Sequence, residues 1–574
     1  MWWDHGIGWG GWLAMTIGMA GFWVLLALLV VARVRRRRQA GSESPDARET
    51  LERRPARGEI DLKEKSTPRR TERGASLTEH AVDRRAVLQG SLGALAAGAL
   101  TSCTSDGKTS PTTRTIGPHS DEVRAAEQLR RSPGQRVLTR RISAQPTTVD
   151  LGSRTVQTWT YGESVPGPVL RTTAGDRLRV ELTNRLPVET SIHWHGLALS
   201  NDMDGVPGIT QHPIRAGGAF TYEFTTPDPG TYFFHPHTGV QLDRGLYGVL
   251  VVDDPADHGD YDQEWIVVLD DWIDGTGRTP DEVLAGLVSM SGMDPGGMGH
   301  GGMTGEAMNS PLLGRAGDVD YPHHLINGRT PDAPAKLSGK PGQRARLRII
   351  NAGSDTAFRV ALGEHRLTIT HSDGFPVDPV TTDALLIGMG ERYDVTVDLA
   401  HGVFPLVAAP EGKTGVGLAV VRTAAGTAPG PNVPIPGLNR QVMVGSDLTA
   451  EAAVQLDGRD VDRRLDVVLR GSMMPYRWTI NGATFPRSQP LEVGPGERIR
   501  LRLRNRSMMF HPVHLHGHTF GLVDSGVRKD TVIVRPLRSL EVDLDADNPG
   551  QWALHCHNVY HAEAGMMTVL GYRK

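Results

Sequence analysis

Near the end of the chain one thiol lies between two imidazoles, His555-Cys556-His557, with His561 five residues after the cysteine and Met566 ten after it. Soft sulfur beside imidazole selects copper, and two histidines, a thiolate and a weak thioether are the ligand inventory of an electron-transfer copper site. On a β-strand, successive side chains face opposite ways. Cys556 would then serve one metal and its two neighbours another, with only a few bonds between the centres. Three further clusters repeat the spacing: His193-Trp194-His195, His235-Pro236-His237 and His511-Pro512-Val513-His514-Leu515-His516. A single His-x-His pair is ordinary surface composition; four in one chain are not.

The elements that must position these clusters recur along the chain. Gly175 to Asn184 (GDRLRVELTN) has counterparts in Gly342 to Asn351 (GQRARLRIIN) and Gly496 to Asn505 (GERIRLRLRN). Each alternates charged and apolar residues at period two, the pattern of a strand with one wet face. A second stretch also occurs three times: Gly230 to His237 (GTYFFHPH), Gly402 to Ala409 (GVFPLVAA) and Gly550 to His557 (GQWALHCH). The middle copy has Val407 and Ala409 where the outer two have histidine. Ile326-Asn327-Gly328 and Ile480-Asn481-Gly482 mark the starts of the second and third units. The spacing suits one β-sandwich per unit, at 140–255, 262–430 and 455–574, with ligands only in the outer two. The 68 glycines and 38 prolines agree with many turns, and a net charge of -3 gives no reason to expect a nucleic-acid partner.

From about residue 140 to the end, with all four histidine clusters in order, the chain resembles the multicopper oxidases: laccases, ascorbate oxidase, bilirubin oxidase and the bacterial copper-efflux oxidases. The resemblance implies an all-β chain of three cupredoxin-like Greek-key β-sandwich domains. It also implies four copper ions. A type 1 copper would take His511, Cys556 and His561, with Met566 axial. A type 2 copper would take His193 and His514. A type 3 pair would take His195, His235, His237, His516, His555 and His557, with the middle domain as a spacer. The implied reaction is one-electron oxidation of a reducing substrate at the type 1 site, passed through Cys556, His555 and His557 to the trinuclear site, where O2 becomes water. Asp204 occupies the position of an acid that orients cluster water in the family. Several bacterial members have a Glu directly after the last type 1 histidine; here that residue is Ala562, and Glu563, one later, is the candidate proton donor.

The front of the chain carries different signals. Residues 1–38 contain an apolar run, Gly11 to Ala32, followed by Arg33 and Arg35 to Arg38, which reads as a transmembrane helix with its basic end in the cytoplasm. Residues 39–80 read as a disordered linker. Residues 81–103 resemble a twin-arginine export signal, Arg84-Arg85 ahead of the apolar run Leu92 to Leu100, ending in a lipobox-like Cys103. The two front ends compete, since cleavage before Cys103 would discard the first span; both place the catalytic domains outside the cytoplasm, tethered by helix or lipid. Residues 104–139 read as a further linker.

The substrate is the least determined feature. Met290, Met293, Met298, His300, Met303 and Met308 lie in a Gly-rich stretch, 289–310, and thioethers favour Cu(I). Copper-efflux oxidases carry a Met-rich insert of this kind. Met473 and Met474 are either a second thioether pair or core residues. An axial Met566 marks a lower potential than Leu or Phe, which suits Cu(I), Fe(II) or electron-rich phenols. The expectation is a Cu(I) oxidase serving copper tolerance, with a laccase-like phenol oxidase as alternative and a non-catalytic copper-sequestering protein as the reading from another class.

Overall fold

The computed structural model describes residues 114–257, 259–289 and 309–574. The expected span, tether and export signal with Cys103, and the residues Met290, Met293, Met298, His300, Met303 and Met308, all lie outside the described residues. Among the described residues no helix is long and apolar enough to cross a membrane.

Each sequence repeat occupies the same place in its own sheet. Arg177–Asn184 runs parallel to Val137–Asp150 and antiparallel to Ala219–Thr225. Arg344–Asn351 runs parallel to Gln263–Trp272 and antiparallel to Arg392–Asp398. Arg498–Asn505 runs parallel to Arg463–Met473 and antiparallel to Ser539–Asp545.

The second repeat supplies a middle strand of each facing sheet. Gly230–His235 lies between His193–His195 and Gly248–Asp253. Gln551–Cys556 lies between His511–Leu515 and Met567–Tyr572. In the middle unit Val403–Pro410 lies between Phe358–Leu362 and Gly417–Arg422, so apolar residues stand where the outer units carry ligands. The architecture is all-β and cupredoxin-like.

Two sequence expectations need correction. The first and third charged strands alternate in burial as a half-wet strand should, but Arg344–Asn351 is buried on both faces. Its arginines are turned inward against charge. Arg346 bonds Asp394 and Asp257, while Arg348 bonds Glu264, Asp394 and Thr231 of the first unit. A strand facing a neighbouring domain can keep the period-two pattern of a surface strand if its cations find partners.

The stretch read as a linker before 140 also contains a helix, α1 (Asp121–Arg130). Ser120 caps it, two acids open it and Arg130 closes it, so its ends suit the helix dipole. Buried Glu127 accepts from the Thr225 N–H and hydroxyl in the first unit, at 3.2 and 3.1 Å. Arg130 donates to Asn548 of the third at 2.8 Å. The helix therefore clamps the two units that carry the histidines.

Candidate metal centre

Two buried groups of donors form. The first is the triangle of His511 Nδ1, His561 Nδ1 and Cys556 Sγ, with edges of 3.2, 3.5 and 3.6 Å. A point equidistant from such corners lies about 2.0 Å from each, an ordinary metal–ligand distance. The strand Gln551–Cys556 delivers the thiol, and α2 (Val559–Glu563) delivers His561. Asn558 caps that short helix by accepting from the Tyr560 and His561 N–H groups, both at 3.1 Å. Met566 is buried, and its carbonyl accepts from the Cys556 N–H at 3.1 Å.

Partners behind the triangle turn both imidazoles the right way. His511 Nε2 lies 2.7 Å from Ser507 Oγ, and His561 Nε2 lies 3.0 Å from Asp318 Oδ2. Each ring thus spends its N–H outward and keeps the Nδ1 lone pair for the centre. Trp478 lies over His561 with ring centroids 3.8 Å apart. Burial pushes the Cys556 thiol above its ordinary value, so a thiolate here calls for a cation beside it.

The second group gathers eight imidazoles, His193, His195, His235 and His237 from the first unit and His514, His516, His555 and His557 from the third. Rings from opposite units interleave: His193 stacks on His516 and His195 on His514, each pair with centroids 3.7 Å apart. His193 and His514 bring their Nε2 atoms to 3.4 Å. His555 Nε2 lies 3.4 Å from that of His237 and 3.1 Å from that of His516. The remaining three, His195, His235 and His557, have ring centroids 4.9 to 5.8 Å apart. The six histidines that sequence reasoning left as one set therefore divide into two triads.

Six of the eight rings again have an outer partner. Asp204 accepts from His193 Nδ1 at 3.1 Å and from His516 Nδ1 at 3.0 Å, joining a ring of each unit. Gly205 makes this possible, since at φ 83° a Cβ there would fall 1.7 Å from the Ile192 carbonyl oxygen. His235 and His555 donate Nδ1–H to the carbonyls of Pro236 and Cys556, both at 2.9 Å. His514 donates Nδ1–H to the Asp530 carbonyl at 3.0 Å. His195 is reversed and donates Nε2–H to Asp530 Oδ1 at 3.1 Å.

The atoms left over are the test of fit. His195 Nδ1, His235 Nε2 and both nitrogens of His557 are buried with no hydrogen-bond partner among the described residues. Such orphaned groups cost about 1–3 kcal/mol each unless something occupies them. Burial and the surrounding imidazoles hold His195, His235, His237, His516 and His557 well below the ordinary histidine range, and bring His555 down to about 3. Neutral imidazoles with unused lone pairs suit metal ions. Both donor sets fit copper.

Profiles described as "Multicopper oxidase" match residues 143–257, 304–426 and 461–574. The chain is 48% identical over 497 residues to the multicopper oxidase MmcO of Mycobacterium tuberculosis, covering 85% of this chain and 97% of that protein. The chain belongs to the multicopper oxidase family. This oxidase is also 30% identical to a copper resistance protein A homolog of Pseudomonas syringae pv. tomato, over 71% of this chain and 87% of the other. Its fold matches that of Fet3p, a multicopper oxidase that functions in iron import, with a TM-score of 0.66 at 21% identity, covering 76% and 90% of the two chains. The laccase of Botrytis aclada gives a TM-score of 0.62 at 25% identity, covering 77% and 88%. The chain is thus a copper-dependent oxidoreductase using O2 and a reducing substrate, which removes the sequestering reading.

Sequence reasoning missed Asp318, Ser507, Asp530 and Arg392. Lys529-Asp530 was the one available signal, a charged pair opening the apolar strand Thr531–Val534. Glu563 lies exposed at the rim of a cavity of about 20 Å³ that reaches His235, His237, His555 and His557. Met473 packs against the core, whereas Met474 is 47% exposed.

Proposed function

We propose that this oxidase holds four copper ions and oxidises Cu(I) on the extracytoplasmic side of a membrane. The type 1 site would be His511, Cys556 and His561 with axial Met566. The type 2 site would be His193 and His514. The type 3 pair would use the triads His195, His235, His557 and His237, His516, His555. Bound copper would supply one-electron redox chemistry at the first site and four-electron reduction of O2 to water at the second.

The chain's own residues do the rest. The main chain from His555 to His557 links the two donor sets through Cys556 by a few covalent bonds. Asp204 holds His193 and His516 in register and, with Asp530, is one of two acids in direct contact with the second set. Glu563, at the mouth of a cavity wide enough for a water, is the group through which protons would enter.

The observation that carries the substrate reading is Asp318. One oxygen bonds His561 Nε2 while the other, Oδ1, is buried without a partner among the described residues. A spare carboxylate oxygen behind an electron-accepting imidazole suits a small cation. The Arg315 N–H, three residues earlier, bonds the backbone carbonyl of Met508, a methionine whose side chain is 66% exposed. The Met-rich residues Met290, Met293, Met298, Met303 and Met308 rejoin the described chain at Asn309, in the hairpin that contains Arg315. The copper resistance relative supports the same reading; the laccase relatives support the phenol oxidase alternative.

Steady-state oxidation of Cu(I), Fe(II) and dimethoxyphenol by the full chain and by a form lacking residues 290–308 tests it. Cu(I) oxidation is expected to fall while phenol oxidation persists. Unchanged Cu(I) oxidation in the deletion, with phenols the better substrates, would leave the laccase reading standing. The apolar run and the twin-arginine and lipobox-like stretches support the membrane placement. Mass spectrometry of the mature N-terminus tests that part, with a lipidated Cys103 or a retained first span as the outcomes that fit.

A further inference from the structure

The middle unit lacks histidine ligands, yet its turn Gly388 to Arg392 forms one wall of the trinuclear set. A Cβ on Gly390, at φ 85°, would come 2.8 Å from His557 Cδ2 and 3.0 Å from His195 Cε1. Arg392 follows, fully buried, and forms a two-pronged pair with Asp530, Nη1 to Oδ1 and Nη2 to Oδ2, both at 2.7 Å. Its Nε donates to the Thr231 carbonyl of the first unit at 3.0 Å, and Asp373 lies 3.5 Å away. Arg392 therefore touches all three units at one point.

Asp530 is the side chain that both grips this guanidinium and bonds the imidazoles, and it holds two of them. Its carboxylate accepts His195 Nε2–H and its backbone carbonyl accepts His514 Nδ1–H, while Thr531 Oγ1 adds a 2.8 Å bond to Oδ1. Among the trinuclear histidines whose second nitrogen has a partner, His195 alone must present Nδ1. That orientation is held by Asp530, which the Arg392 fork aims, together with Thr531 Oγ1, also 3.1 Å from His195 Nε2. A planar fork fixes both position and rotation of a carboxylate; an ammonium fixes position only.

We propose that Arg392 is a positioning residue of the trinuclear site, acting through Asp530 to set the His195 tautomer and the His514 ring, so that docking of the ligand-free domain completes the metal site. The proposal rests on the copper assignment above. The middle domain is then a working part of the site as well as the spacer that the repeats suggest.

The test uses the full copper-loaded chain and reads the type 2 electron paramagnetic resonance spectrum and copper retention against a chelator. In Arg392→Gln the type 2 hyperfine pattern changes and trinuclear copper is held roughly 10–100-fold more weakly, while the blue type 1 absorption is unchanged. Arg392→Lys restores retention in part. Arg346→Gln is the control: Arg346 is also buried and bonds Asp394 rather than Asp530. It is expected to leave the type 2 spectrum as in the unmodified chain. An unaltered type 2 spectrum and retention in Arg392→Gln overturn the proposal. So does an Arg346→Gln spectrum matching that of Arg392→Gln, since the effect would then belong to the interface in general. If Arg392→Gln does not fold, Asp530→Asn decides by the same two readings. An unmodified chain showing neither type 1 nor type 2 signals would overturn the copper assignment itself, and this proposal with it.

Discussion

The two donor sets are built from different numbers of domains. His511, Cys556 and His561 all come from the third unit, and their triangle closes within one sheet and the short helix beside it. The eight other imidazoles come four from each end of the chain and meet only because the first and third units dock. A site inside one domain is as stable as that domain. A site between domains is as stable as the interface, which here is held by α1, Asp204 and the Arg392–Asp530 pair.

The largest break in this comparison is Cys556→Ser. It should abolish the blue absorption and all turnover, yet leave the type 2 signal, because the cross-domain set does not need the thiol. Loss of both signals together would show that the sites are not independent; absorption and paramagnetic resonance spectra of the same sample decide.

A smaller effect is expected from Glu127→Ala in the clamp helix. It removes a buried acceptor of two Thr225 bonds, worth about 1–3 kcal/mol, without removing a bond to any of the donor histidines. The melting temperature should fall, and a chelator should strip the trinuclear copper before the type 1 copper. Equal loss from both sites would contradict the one-domain against two-domain distinction.

Smallest is Asp318→Asn, at a middle-unit residue that, of the two donor sets, bonds only the third unit's triangle, at His561. It keeps a group able to bond His561 but removes the negative charge facing a cation. The KM for Cu(I) should rise by up to about tenfold, with kcat for a neutral phenol and the type 2 spectrum little changed. An equal loss for both substrates would make Asp318 a support of His561 alone.

Much of the fold was legible because strand chemistry is local. The three charged strands, the three glycine-led strands and the swap of His for Val407 and Ala409 were readable from period and repeat, and each found the same position in its sheet. What local pattern could not say was which neighbour each face meets. Arg344–Asn351 looks like its two sisters, yet is buried on both faces because the first domain leans on it. Residues 121–130 looked like more of a polar linker, and became a helix whose few apolar residues and one buried Glu127 have a place only between two domains.

The sequence by itself determined the donor types, their spacing, their division between the outer two units and hence the metal. Those follow from side-chain chemistry and strand alternation, which act over a few residues. Tertiary structure alone decided which nitrogen of each imidazole faces inward, how six histidines part into two triads, and that Asp318, Asp530 and Arg392 serve the sites. Those depend on hydrogen bonds such as His195 to Asp530, whose partners lie 335 positions apart and have no shared pattern along the chain.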